Sequence, residues 1–154
     1  MSAINRHATA VILADRGVLI TGASGSGKTA LALTLMQHAA ADGRFARLVA
    51  DDQVFLFGGA GRLLVRAPAT IAGLVEVRSL GPVGIKTEGA AVIDLAVSLE
   101  IPDKTPRMRE QQRFEFGGIG VDHLVLPARD ALQSSLAIAA WFGWPPFSRS
   151  QTLL

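Results

Sequence analysis

Residues 17–36 read GVLITGASGSGKTALALTLM. The apolar run Val18-Leu19-Ile20-Thr21 breaks into small and polar residues, then resumes as an apolar pattern with helical spacing. The junction Gly22-Ala23-Ser24-Gly25-Ser26-Gly27-Lys28-Thr29 fits G-x-x-x-x-G-K-[ST] at every position. Each residue type has a physical reason to be there. Glycines let successive N–H groups point inward and let phosphate oxygens approach without meeting a Cβ. The helix that follows adds the positive end of its dipole. Lys28 supplies a point charge for the outer phosphates, and the Thr29 hydroxyl can ligate Mg²⁺. Strand before and helix after give the context the motif requires, so residues 22–29 are expected to hold a nucleotide triphosphate.

Working outward, residues 8–14, ATAVILA, are β-rich, and Asp15-Arg16-Gly17 is a turn signal, which predicts a hairpin with the strand at 18–21. Alanines and leucines from Lys28 to about Ala41 favour helix, stopped by Asp42-Gly43. Strand-like runs follow at 47–51, 53–57, 62–66, 74–77, 91–99 and 121–126, and Asp130 can cap a helix from Ala131 to about Trp141. The connections in the middle of the chain are too short for crossover helices. The expected fold is therefore α/β with a mixed sheet, in one domain over residues 1–154. Residues 101–113, the most polar stretch, read as a surface loop.

Two further groups of residues could carry chemistry. Leu48-Val49-Ala50-Asp51-Asp52 is an apolar strand ending in acid. If the extended backbone continues, the two carboxylates face opposite ways and divide the work between metal and proton acceptance; a plain turn-forming pair is the alternative. In Leu74-Val75-Glu76-Val77-Arg78, Glu76 and Arg78 would share one strand face, as site residues or as a solvated ion pair. The aromatics of 137–147 could form an interface or pack a last helix on the core. His38 suits a helix C-terminus, and His123 alternates with apolar neighbours; neither has a partner spaced for zinc.

Composition removes several classes. Of 154 residues, 49% are hydrophobic and 18% charged, which suits a packed core. Net charge is only +2 and no Lys/Arg run exists, so nucleic acid is not an expected partner. Cysteine is absent, excluding disulfides, thiolate metal sites and a cysteine nucleophile. No segment approaches the roughly 20 apolar residues that span a bilayer, so the expected setting is the cytoplasm, without a membrane partner.

Taken together, GVLITGASGSGKT, LVADDQV and AGLVEVRSLG resemble the catalytic domain of HPr kinase/phosphorylase, in that order and at compatible separations. The resemblance covers about Arg6 to Arg129. It implies a P-loop kinase domain like that of phosphoenolpyruvate carboxykinase, in a short form without the family's N-terminal domain. It also implies an enzyme, a serine protein kinase of the phosphotransferase system that uses ATP and Mg²⁺ on the phosphocarrier HPr and can run in reverse as a phosphorylase. The assembly implied is a homo-oligomer, a hexamer. Residue by residue, His7 matches the histidine before the P-loop hairpin, Lys28 the P-loop lysine, and Asp52 the base that activates the target serine. Thr29, Asp51 and Glu76 match the metal-binding positions. Arg107 matches a catalytic loop arginine, with Arg109 as rival, and Pro127-Ala128-Arg129 a segment tied to phosphate removal. Ala23, Thr29 and Ser79 depart from the residues usual in the family, and the stretch 81–89 is shorter than its loop. The other readings are a small-metabolite kinase of the same fold and a nucleotide-sensing module with little turnover.

Overall fold

The computed structural model describes residues 3–110 and 112–148. Its centre is β9 (Ala90–Glu100), eleven residues long. One edge of β9 pairs in parallel with β3 (Arg16–Gly22). The other edge is shared: residues 90–93 pair antiparallel with β6 (Arg62–Arg66), and residues 95–100 pair in parallel with β11 (Ile119–Pro127). The sheet is extended by the expected hairpin of β2 (Ala8–Leu13) with β3, by β4 (Ala46–Ala50) on β2, and by β5 (Val54–Gly59) with β6. Three short edge strands were not legible as strands: β1 (Ile4–Arg6), β8 (Gly81–Gly84) and β10 (Arg113–Phe116). The first and last pair with β5 and β11, while β8 forms a separate hairpin with β7 (Leu74–Val77). The sheet is mixed, as the short central connections require.

Alternation along β2, β3 and β9 sends side chains to two cores. Val11, Leu13, Val18, Ile20, Leu95 and Val97 pack beneath α1 (Lys28–Ala41) and α2 (Ala131–Phe142). Ala8, Ala10, Leu19 and Ala96 face the other way, where β5, β6 and β10 close over them with Leu56, Leu63, Val65 and Phe116. Helix α1 ends where Asp42-Gly43 was expected to end it: Gly43 lies at φ 72 and Arg44 N–H returns to Ala39 O at 2.8 Å. Asp130 caps α2 by accepting from Gln133 N–H at 3.1 Å. Trp141 and Trp144 are buried against the first core, so these C-terminal aromatics serve packing. No described helix is long and apolar enough to cross a membrane.

Two local expectations need correction. Strand β4 stops at Ala50, so Asp51 and Asp52 are not a continuing strand; Asp52 takes a left-handed conformation at φ 68. The two carboxylates do diverge, but a turn separates them rather than strand alternation. Strand β7 likewise ends at Val77, and Ser79 at φ 71 turns the chain, so Arg78 shares no strand face with Glu76.

Candidate active site

The site gathers where β3, β4 and β9 end and β2 begins. Because Ala8 pairs with Thr21, His7 lies beside Gly22, where the glycine-rich turn leaves the sheet. The turn runs to Gly27, which precedes α1 in a left-handed conformation at φ 94. Among the described residues no side chain caps α1 and no acidic residue lies in its first turn, which leaves its leading N–H groups without a side-chain acceptor there. Packing under the turn is close. A Cβ on Gly22 would fall 2.5 Å from Ser26 Oγ, and one on Gly27 3.5 Å from Arg129 Cα. Ser26 is buried, and among the described residues its hydroxyl has no hydrogen-bond partner. Ala23 contributes its carbonyl to the cluster below, and Ser24 is exposed on the turn.

Lys28 is only 4% exposed, and its ammonium is enclosed. It donates to Gly22 O at 3.1 Å and Ala23 O at 3.2 Å, and it stands 3.1 Å from His7 Nε2 and 3.7 Å from Asp52 Oδ1. His7 Nε2 in turn is 3.3 Å from Asp52 Oδ1. One proton decides how this triangle is wired. With a proton on Nε2, His7 donates to Asp52; without it, Nε2 accepts from Lys28. The left-handed turn at Asp52 is what swings its carboxylate toward this pair, and Asp52 N–H donates to Thr9 Oγ1 at 3.1 Å.

Asp51 has a different set of partners. Its Oδ1 accepts from Thr29 Oγ1 at 2.6 Å and Thr9 Oγ1 at 3.3 Å, and its Oδ2 from Glu76 N–H at 3.3 Å. Glu76 therefore joins through its backbone. Its exposed carboxylate makes no hydrogen bond or ion pair among the described residues. Arg129, at φ 57, grips the turn from outside: its N–H donates to Ser26 O at 2.8 Å and its Nε–H to Gly25 O at 3.0 Å.

The structure thus unites His7, Lys28 and Asp52 in one cluster and Thr29, Asp51 and Glu76 in another. It does not join Arg107 to either. Arg107 is exposed on the loop after β9 and makes no hydrogen bond or ion pair among the described residues, while its rival Arg109 turns inward toward Asp122. Sequence reading missed Thr9, which ties Asp51 to the backbone of Asp52; the signal was a lone hydroxyl in the apolar run 8–13. It also missed a polar line across three parallel strands, Thr21 Oγ1 to Ser98 Oγ at 3.0 Å and Ser98 Oγ to His123 Nε2 at 2.8 Å. Burial, aided by the neighbouring Arg109 charge, lowers the His123 pKa and favours its neutral ring.

A mixed sheet, a glycine-rich turn opening α1, and two carboxylates at the neighbouring strand end define a P-loop kinase-like α/β domain. Residues 1–141 match the family described as HPr Serine kinase C-terminal domain, and the chain belongs to that family. It is 34% identical over 138 residues to an HPr kinase/phosphorylase of Caldicellulosiruptor bescii, covering 82% of this chain and 42% of that protein. To the one from Lactiplantibacillus plantarum it is 34% identical over 146 residues, covering 87% and 44%. The Clostridium beijerinckii protein of the same name is 40% identical over 81 residues, covering 53% of this chain and 25% of that one. The chain thus spans less than half the length of these curated relatives. Among solved structures, the Hpr(Ser) kinase/phosphatase from Coxiella burnetii superposes with a TM-score of 0.72 at 23% identity, covering 88% of this chain and 86% of that one. That likeness shows the fold.

Proposed function

We propose that this chain is an ATP-dependent serine kinase acting on the phosphocarrier HPr or a similar small protein. The observation that carries the reading is the position of Asp52, whose Oδ1 lies 3.3 Å from His7 Nε2 and 3.7 Å from the P-loop ammonium of Lys28. A carboxylate there can take the proton of an incoming alcohol beside the phosphates that Lys28 holds. The serine oxygen forms its bond to the terminal phosphorus as the bond to the β-phosphate oxygen breaks, and the hydroxyl proton passes to Asp52. His7, 3.3 Å away, then shares that proton or steadies the carboxylate. In the reverse direction a protonated Asp52 returns the proton to the serine oxygen while inorganic phosphate attacks, giving pyrophosphate.

ATP is the expected substrate at residues 22–29, whose bare helix start suits the triphosphate. The donor set fits Mg²⁺. Among the described residues no cluster of three His, Asp or Glu could hold a metal alone, yet Thr29 Oγ1 and Asp51 Oδ1 meet at 2.6 Å at the start of α1. One hydroxyl and one carboxylate, completed by phosphate oxygens and water, is how Mg²⁺ is commonly bound. Thr29 and Asp51 would hold it, with Glu76 nearby on β7, and it would neutralise charge on the transferring group. Arg107, on an exposed loop, is proposed to meet the phosphoryl group only when the acceptor docks.

Asp52→Asn tests the reading. The variant should lose about 10²–10⁴-fold in transfer rate, as expected for a removed general base, and keep its ATP affinity. A variant that retains full transfer refutes the assignment. One that shows no transfer in either form, yet an unchanged nucleotide response, marks a sensor.

A further inference from the structure

Away from the P-loop, helix α2, strand β11 and the loop after β9 enclose a cavity of about 410 Å³. Its walls are mostly apolar, with Leu124 and Leu126 from β11 and Trp141 from α2. Room exists because Ala137 and Ala140, on the α2 face toward the cavity, carry only a methyl group each. The volume lies within the range of small-molecule sites, roughly 300–1,000 Å³.

The polar contribution is what makes this cavity more than a packing gap. Arg109 reaches into its wall and is only 19% exposed, whereas Arg107 two residues earlier is exposed. Among the described residues, Arg109 Nε is buried with no hydrogen-bond partner. The nearest carboxylate, Asp122 Oδ1, stands 3.7 Å from its terminal nitrogen and already accepts from Arg113 at 3.0 Å. A guanidinium this largely buried, with its counter-charge distant and shared, is only partly compensated. Arg107 lines the same cavity, so two guanidinium groups bring positive charge to its wall, and a planar carboxylate suits their paired donors.

We propose that this cavity binds an amphipathic monocarboxylate, its acid group on Arg109 and its apolar body between α2 and β11. The charge should be single, since Arg107 and Arg109 outweigh Glu110 by one among the charged residues lining the cavity and Asp122 is already paired with Arg113. Gln133, also in the lining, offers a neutral donor.

Titration with 2-naphthoate, followed by calorimetry and by the Trp141 indole N–H resonance, tests the site without reference to catalysis. Saturable binding at one site is expected, with the Trp141 resonance shifting along the same curve. The neutral 2-naphthylmethanol and the dianionic 2-naphthyl phosphate should each bind about tenfold or more weakly. Arg109→Gln should weaken 2-naphthoate by a similar factor, and Ala137→Leu, which fills the space from a partly exposed helix position, should abolish binding with the fold intact. Equal binding of acid and alcohol, binding unaffected by Ala137→Leu, or no saturable shift would overturn the proposal. So would self-association that protects the Trp141 resonance and excludes the probe.

Discussion

Asp51 joins three elements besides its own, and Asp51→Asn measures how much that junction matters. The carboxylate accepts three hydrogen bonds, from Thr29 and Thr9 on one oxygen and from Glu76 N–H on the other. An amide has one acceptor oxygen. If that oxygen stays with the hydroxyls, the new NH₂ faces the Glu76 N–H, donor against donor. If it turns round, the 2.6 Å bond from Thr29 is lost as an acceptor site and the threonine proton must point elsewhere. The first orientation forfeits one accepted bond and the second two, and those that remain lose their charge assistance, from about 1.5–3 kcal/mol to about 0.5–1.5 kcal/mol each at full strength. Two of the three are long and partly solvated, which discounts them. The expected loss is about 1–3 kcal/mol, a fall in Tm of about 2–4 °C per kcal/mol for a chain of this size. The assay is urea unfolding of parent and variant, with amide exchange read at Glu76, which should accelerate as the β7–β8 hairpin loosens. An unchanged midpoint with unchanged exchange at Glu76 would refute the reasoning.

Two further expectations concern Ser26 and His123. Ser26→Ala removes a buried hydroxyl that has no partner among the described residues and should stabilise the protein by about 1 kcal/mol, read as a higher urea midpoint at constant slope. His123 has a lowered pKa in the fold, so the unfolded chain takes up that proton first. The associated stability is present above about pH 6.5 and is lost as pH falls toward the lowered value, so unfolding free energies at pH 7.5 and 5.5 should converge in His123→Gln.

Much of this was legible in the sequence because it is local. The apolar run at 18–21, the glycine-rich turn and the alanine-rich pattern after Lys28 each act within a few residues, and β3, the turn and α1 appear where they were expected. What escaped depends on distant partners. Strand β8, Gly81–Gly84, carries two glycines and a proline and is a strand only because β7 lies beside it. The left-handed backbone at Asp52 leaves no residue-type signature beyond Asp's tolerance of it, yet it decides where the carboxylate goes. Arg129 meets the P-loop across 104 positions of sequence, and Ser98 meets His123 across two strands. The family resemblance supplied roles for His7 and Asp52; their 3.3 Å proximity came only from the fold.

The most direct test is to incubate the protein with ATP, Mg²⁺ and purified HPr from the same cell and to weigh the HPr. The expected result is a gain of one phosphoryl group on a serine, dependent on Lys28 and lost in Asp52→Asn. An HPr whose mass stays unchanged over a range of nucleotide, metal and protein concentrations would contradict it.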